Sequence, residues 1–439
     1  MVEKKGWSRL RRMGSSALGA SGRYMGDLLL DGFRGKNAKE EARRQRLARA
    51  GREMAAALGD LKGAAMKLGQ ILSSDPELLP PEMAKALTVL QRQAPPMPYT
   101  KVRQILESEW GDDGLSLFEL IEEEPLGAAS LGQVHKGRLK DGRQVAIKVQ
   151  YPGIRDSLEG DLAQLKRLLS INPVANIRKQ ASAYVEELRE RFLLESDYLE
   201  ELKNLAEGAA LFSFIPDLVV PTGVAELTTS KVLVMEQLEG KPLLDAFETM
   251  SQEERNRVGE ILVLTWSGSF HLHQFVHGDT HPGNFMYLND GRIGLLDFGC
   301  VRRFDSVMTD GFLSLLVATW EQRYDDLPQI YADLGFGRGD VKQRPEVLKA
   351  FGEIAAAPFL HDGAFDFADW PLREGIQRFV LEHLEFARMV PPPEALLYLR
   401  VLVGLRGLLH SGRCQVNVRH LAMNLARERF GFQMPEEPA

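Results

Sequence analysis

Three side chains that could carry out phosphoryl transfer lie in the segment 276–301, VHGDTHPGNFMYLNDGRIGLLDFGCV. Asp279 is a carboxylate that can orient or deprotonate a hydroxyl group, while Asn284 and Asp297 offer oxygen atoms, the ligands that Mg²⁺ prefers. The spacing predicts two short loops joined by a β-hairpin, in the order that a phosphoryl-transfer site requires. The interpretation therefore depends on whether the rest of the chain supplies a nucleotide-binding site.

A candidate phosphate-binding segment lies upstream, in the run GAASLGQV at 127–134. Against the pattern G-x-G-x-x-G-x-V, Gly127, Gly132 and Val134 match, whereas Ala129 replaces the middle glycine. The run VAIK then ends at Lys148, and although a strand lysine is more often solvent-facing, this spacing favours a contact with the α- and β-phosphates. The predicted nucleotide contacts here are Gly127, Ala128, Ala129, Ser130, Gly132, Val134 and Lys148.

Short strands are predicted to hold these segments. Residues 117–122, 133–139 and 144–150 alternate in character and predict an antiparallel sheet, whose last two strands are joined by a hairpin at Asp141-Gly142. Residues 218–223 and 231–236 predict two further strands.

The run VLVMEQLEG at 232–240 is apolar and then abruptly polar, as expected of a last strand and hinge beside a nucleotide. It predicts that Met235 borders the adenine pocket and that backbone groups of Glu236 and Leu238 meet the edge of the base. An ordinary buried strand leaving a sheet would look much the same.

Helical periodicity dominates the remainder of the chain. A capping box at Ser251 and Glu254 opens a helix that is predicted to run to about Phe275. Other helices are predicted at 47–72, 99–110, 309–322, 344–357, 372–387 and 393–410. Lys67 and Gln70 lie three apart on one face of the first of these, where by themselves they would be surface polar residues.

Composition indicates a globular protein long enough for two or three lobes. Residues 1–52 hold 14 Lys/Arg and 5 Asp/Glu, so a basic arm of net charge +9 precedes a body of −16. Such asymmetry indicates that the arm is attracted to an anionic surface. Nucleic acid is a poor candidate for that surface, because no recognition motif accompanies the charge. Two cysteines indicate a reducing, cytoplasmic compartment.

Taken together, these segments resemble the UbiB family of atypical kinases, also called AarF or ADCK-like, within the protein-kinase-like superfamily. The resemblance covers residues 40–420 and is most specific at three motifs. These are K-x-G-Q at Lys67–Gln70, the alanine-containing loop at 128–130, and E-x-D at Glu195–Asp197.

The resemblance implies an α+β, bilobal protein-kinase-like fold with an antiparallel-sheet N-lobe, a helical C-lobe and an N-terminal helical extension packed over the cleft. The implied divisions are a basic leader at 1–36, the extension at 37–115, the N-lobe at 116–238 and the C-lobe at 239–439.

The resemblance also implies roles for individual residues. The catalytic set is Lys148, Asp279, Asn284 and Asp297, of which Asn284 and Asp297 would hold Mg²⁺. Lys148 would pair with Glu201 while contacting the nucleotide. The lid set is Lys67, Gln70, Glu195 and Asp197, in which the first two residues would meet the last two.

The implied activity is Mg²⁺-dependent phosphoryl transfer from ATP or ADP, or ATP hydrolysis, supporting ubiquinone or related isoprenoid-lipid biosynthesis. The implied partners are a nucleotide, a lipid-like or small-molecule substrate, and a quinone-biosynthetic complex. The run HGDTHPGN fits an aminoglycoside- or choline-kinase type of phosphotransferase equally well, but the three upstream motifs are not expected there. A non-catalytic nucleotide-binding scaffold would not need the catalytic residues as a set.

Two departures shape these expectations. No A-P-E motif follows the D-F-G at 297–299, which argues for a small or lipid-like acceptor over a protein. The membrane-spanning helices expected of many bacterial UbiB proteins are not evident, so we predict peripheral attachment to the inner face of the membrane through the basic arm. A flotation assay without salt-sensitive binding to anionic liposomes would contradict that prediction.

His277 and His281 flank Asp279 and could suggest zinc, but the D-F-G and VAIK motifs explain the same residues.

Overall fold

A computed structural model describes residues 96–129, 131–153, 196–337, 344–384 and 391–433, with single positions or pairs between 45 and 193 and between 385 and 390. The strands are β1 Phe118–Ala129, β2 Gly132–Leu139, β3 Gln144–Gln150, β4 Leu218–Val219, β5 Val232–Glu236, β6 Gly240–Pro242, β7 Phe275–His277, β8 Phe285–Leu288, β9 Ile293–Leu295, β10 Val301–Arg303, β11 Phe365–Asp366 and β12 Gln415–Val416. The helices are α1 Tyr99–Leu115, α2 Tyr198–Leu211, α3 Leu243–Phe247, α4 Gln252–Val263, α5 Ser269–His273, α6 Ser306–Trp320, α7 Leu327–Asp333, α8 Pro345–Ala355, α9 Ala357–Leu360, α10 Leu372–Glu382, α11 Pro393–Ser411 and α12 Val418–Phe430. The predicted α+β class is confirmed.

The chain divides into two compact units. The described residues up to Leu202 form the first unit together with Gly223–Gln237, and the second comprises Lys203–Thr222 and the residues from Leu238 onward. The division therefore falls within α2.

The first unit is built on an antiparallel sheet of order β1-β2-β3-β5. One face of α1 packs on this sheet, because Val102 and Leu106 join the buried core that includes Ile147 of β3. The Trp110 ring stacks on Phe118 with 5.0 Å between ring centroids. This apolar packing holds β3, the strand that carries Lys148.

The second unit contains a four-stranded sheet of order β4-β9-β8-β6 and a separate β7–β10 pair. In β8 and β9, Phe285 lies opposite Leu295, and in β7 and β10, His277 lies opposite Val301. The predicted hairpin between the two candidate catalytic loops is thus confirmed. Helices form most of the remaining described residues of this unit.

Several predicted boundaries are wrong. Strand β1 continues to Ala129, well beyond the predicted end at 122, because the Gly/Ala-rich run pairs with β2. The strand predicted at 218–223 ends at Val219, and Pro221 beyond it has no N–H to donate to a ladder. The helix predicted to reach Phe275 is interrupted by a π-helical turn, Leu264–Gly268, before α5.

Candidate functional site

Lys148 lies in β3, where its ammonium group is held by a carboxylate. Lys148 Nζ donates to Glu201 Oε1 at 2.8 Å and to Oε2 at 3.0 Å. The two side chains are only 8% and 0% exposed, and Nζ also lies 5.2 Å from the centroid of the Tyr198 ring. Buried charges are stable only when they are paired, so each group fixes the other.

The start of α2 is fastened to β3 beside this pair. Gln150 shares a face of β3 with Lys148, and its Nε2 donates to the Ser196 carbonyl oxygen at 2.8 Å. At the first turn of α2, Asp197 Oδ1 accepts the Leu199 N–H at 3.1 Å. Asp197 therefore caps the helix that carries Glu201. No sequence motif identifies Gln150, although its spacing of two from Lys148 places it on the same face of the strand.

Most of the candidate phosphate-binding run lies in β1 and β2. Gly127 and Ala129 lie in β1, opposite Val134 and Gly132 of β2. An added Cβ at Gly132 would lie 2.1 Å from the Val149 carbonyl oxygen, so glycine is required there. The backbone of Ala128 is also in β1, opposite Gln133, whereas the side chain of Ala128 and all of Ser130 lie outside the described residues.

The end of β5 has the register expected of a hinge. Gln237 N donates to the Gln144 carbonyl oxygen at 3.1 Å, and Gln150 N donates to that of Lys231 at 3.0 Å. Because antiparallel hydrogen-bonded pairs alternate, Glu236, opposite Val145, has its backbone groups directed away from β3. Met235 precedes it and is buried. Leu238, the other predicted hinge residue, lies in the second unit.

In the second unit, Asp279 and Asn284 are tied together within one loop. Asp279 Oδ1 accepts the His281 N–H at 3.1 Å, and Asn284 Nδ2 donates to the Asp279 carbonyl oxygen at 3.4 Å. His281 caps the short 3₁₀ turn Pro282–Asn284, because its Nδ1 accepts the Gly283 N–H. Because the Asn284 amide nitrogen faces the Asp279 carbonyl oxygen, the side-chain oxygen of Asn284 is directed away from that carbonyl and is available as a metal ligand.

The D-F-G segment is linked to the same loop through the backbone. Leu296 N donates to the Asn284 carbonyl oxygen at 2.9 Å, and Asp297 Oδ1 accepts the Gly299 N–H at 3.0 Å. Phe298 is fully buried. These bonds bring Asp279, Asn284 and Asp297 into one neighbourhood, as their spacing predicted.

His277 has a positioning role that the sequence analysis missed. Its ring is buried, and Nε2 is hydrogen-bonded to the Asp297 carbonyl oxygen. The His277 carbonyl oxygen in turn accepts from Trp266 Nε1 at 2.8 Å. His277 thus connects β7 to the D-F-G backbone.

The donor chemistry fits Mg²⁺ better than zinc. Among the residues that the structure describes, no group of three His, Cys, Asp or Glu side chains is arranged to hold a metal ion. Asn284 and Asp297 instead offer an amide oxygen and a carboxylate, the hard oxygen donors that suit Mg²⁺. The predicted lid residues Lys67, Gln70 and Glu195 lie outside the described residues.

The buried His271 in α5 predicts that the stability of the protein depends on pH. His271 Nδ1 lies 2.9 Å from the Thr309 carbonyl oxygen, and burial lowers the pKa of His271 to about 4, against the opposing effect of that hydrogen bond. Because the unfolded pKa is near 6.5, protons bind the unfolded chain preferentially as the pH falls below that value. We expect the free energy of unfolding to drop by about 2 kcal/mol between pH 7.5 and pH 5.

Urea denaturation at several pH values measures this effect. The His271→Asn variant, which keeps an amide donor, should be less stable at pH 7.5 but should lose most of the slope below pH 6.5. Substitution of the exposed His361 by glutamine serves as the matched control. A slope that survives in His271→Asn would assign it to another group.

Comparisons with known proteins agree with this geometry. The family model described as ABC1 atypical kinase-like domain matches residues 89–331, more than half of the chain. Atypical kinase COQ8B, mitochondrial, of Rattus norvegicus is 31% identical over 391 residues, covering 88% of this chain and 74% of that protein. Probable serine/threonine-protein kinase abkA of Dictyostelium discoideum is 30% identical over 366 residues, covering 78% and 64%.

A solved structure is also similar. The complex of Rv3197 with erythromycin, from Mycobacterium tuberculosis, matches with a TM-score of 0.63 at 28% identity, covering 89% of this chain and 98% of that chain. The predicted protein-kinase-like fold is thereby confirmed.

Proposed function

We propose that this chain, which belongs to the ABC1 family of atypical kinases, catalyses Mg²⁺-dependent phosphoryl transfer from ATP or hydrolyses ATP. The observation that carries this proposal is the buried ion pair of Lys148 and Glu201. A buried pair contributes little net stability compared with apolar residues of similar size, so retaining one favours a functional use of the ammonium group. A lysine held in this way can contact nucleotide phosphates.

The remaining roles follow from the chemistry of each group. Asp279 would orient or accept the proton of the attacking hydroxyl or water. Asn284 and Asp297 would hold Mg²⁺, which neutralises charge on the phosphate oxygens. Glu236 supports the hinge role because its backbone faces away from β3.

The proposed acceptor is an isoprenoid-lipid or quinone precursor. It is supported by the family resemblance and by relatives that carry the name COQ8. On the same grounds we propose that the protein takes part in a quinone-biosynthetic complex. In the part of the chain that the structure describes, no helix is long and apolar enough to cross a membrane. Attachment through the basic arm is the proposed route to a membrane-held substrate.

Replacing Asp279 with asparagine tests the catalytic proposal. We expect nucleotide turnover to fall about 100-fold, since general-base contributions reach this size, while Mg²⁺-dependent ATP binding stays near that of the wild type. Turnover is measured with and without anionic liposomes and phenolic isoprenoid mimics. Asp290→Asn, at an exposed turn, is the matched control. Unchanged turnover in Asp279→Asn would refute the role of Asp279, and absence of ATP binding by the wild type would refute the function.

A further inference from the structure

A cavity of about 60 Å³ lies within the second unit, among α4, α8, α9, α11 and α12. Its wall is mostly apolar and includes the rings of Phe359, Phe367 and Trp370 and the side chains of Leu402 and Leu405, whereas Ser267 adds a hydroxyl group. One water needs on the order of 10–15 Å³ of such space, so the cavity admits several heavy atoms. None of the residues assigned to phosphoryl transfer lines it.

One charged group interrupts this apolar wall. Arg406 of α11 donates from Nη2 to the Trp370 carbonyl oxygen at 2.7 Å, and its guanidinium carbon lies 5.4 Å from the centroid of the Trp370 ring. Its Nε is buried and has no hydrogen-bond partner. Among the described residues, no carboxylate lies within ion-pair distance of Arg406.

The Nε–H group of Arg406 therefore lacks a hydrogen-bond acceptor. Burial lowers the pKa of Arg406, and only the more distant charge of Glu374 opposes that effect. Leaving a buried N–H without an acceptor is destabilising, and more so when the group is charged. An anionic oxygen entering the cavity beside Arg406 would compensate the charge of the guanidinium group.

We propose that this cavity binds the end of an apolar molecule that carries a single carboxylate, with the carboxylate at Arg406 and the hydrocarbon among the rings and leucines. The apolar wall accounts for the hydrocarbon, since ligand sites combine a mostly apolar lining with a few placed polar groups. The guanidinium group of Arg406, which lines the cavity and has no carboxylate within ion-pair distance among the described residues, accounts for the anion. Binding here is independent of phosphoryl transfer and of the function proposed above.

Sodium octanoate is the probe, and isothermal titration calorimetry on the full chain is the measurement. We expect one octanoate per chain, with octanol at least tenfold weaker, because a charge-assisted hydrogen bond of about 1.5–3 kcal/mol corresponds to about tenfold or more. Octylammonium should not bind. Octanol binding as tightly as octanoate, or no octanoate binding by the folded wild type, would overturn the proposal.

Two variants locate the site. Arg406→Met should weaken octanoate binding at least tenfold and leave octanol binding within about threefold, since the stem is retained and the charge lost. Leu402→Trp fills the cavity without removing the arginine and should weaken both ligands, so it tests the site even if Arg406→Met does not fold. Arg378→Met, at an exposed position of α10, should bind like the wild type. An equal loss in Arg378→Met, or no loss in Leu402→Trp, would place octanoate elsewhere.

Discussion

Replacing Lys148 with methionine is expected to lower the free energy of unfolding by about 3–5 kcal/mol. The reason is the Glu201 carboxylate, which is fully buried and would lose the ammonium group that contacts both of its oxygens. Desolvating a carboxylate without a partner is costly, so the carboxylate must take up a proton or the packing around it must open. Urea denaturation of the wild type and the variant measures the loss.

A second substitution separates the structural effect from the functional one. Lys148→Met combined with Glu201→Gln removes both charges, and we expect most of the lost stability to return. ATP affinity should stay low in the double variant, because no ammonium group remains to contact phosphate. A double variant that binds ATP like the wild type would disprove the phosphate contact.

The exposed pair of Arg103 and Glu107 provides a matched control. Its atoms are 2.8 Å apart, as in the buried pair, but its side chains are 66% and 46% exposed. Exposed ion pairs contribute about 0–1 kcal/mol. Arg103→Met should therefore leave the free energy of unfolding close to that of the wild type, and an effect as large as that of Lys148→Met would contradict the burial argument.

Local sequence patterns predicted the elements that carry their own signals. Strand β3 was placed with correct ends, Gln144 and Gln150, because it follows a turn marked by Asp141-Gly142, where Gly142 has φ +94°. The capping box of Ser251 and Glu254 likewise marked the start of α4. In both cases the information lies within a few residues of the element.

Elements whose structure depends on distant residues were missed. The run at 127–129 is a strand because β2 lies beside it, although its glycine and alanines have low strand propensity. The π-helical turn at Leu264–Gly268 has no counterpart in the apolar periodicity. The contact of His277 with Asp297 joins two residues that lie 20 positions apart in the sequence. The candidate catalytic residues were identified by their spacing, whereas their supporting contacts required the structure.

The D-F-G phenylalanine depends on a glycine in α2 that no motif identifies. An added Cβ at Gly208 would lie 2.2 Å from Phe298 Cε1. The Phe298 ring cannot retreat easily, because it is fully buried and packs at 6.2 Å from Phe212 and at 5.4 Å from His277 between ring centroids. Asn204 of the same helix also donates to the Phe298 carbonyl oxygen at 3.2 Å.

Gly208→Ala is therefore expected to destabilise the protein by about 3 kcal/mol, at the upper end of the usual cost of overpacking. This direction opposes helix propensity, which alone would favour alanine by about 1 kcal/mol. Gly407→Ala is the matched control, because Gly407 is also helical and has no atom within 4 Å of the added Cβ. It should be neutral or stabilising by thermal and urea denaturation.

Combining Gly208→Ala with Phe298→Leu distinguishes a local clash from a general effect on the helix. Leucine lacks the outer ring atoms that the new methyl would meet, so the double variant should be more stable than the sum of the two single changes predicts. Nucleotide turnover should fall at least tenfold in Gly208→Ala, because displacing Phe298 moves the adjoining Asp297. Wild-type stability and turnover in Gly208→Ala would mean that Phe298 does not pack against α2 in solution. In that case Asp297 would have to be held by its other contacts, which include the hydrogen bonds to His277 Nε2 and Gly299 N.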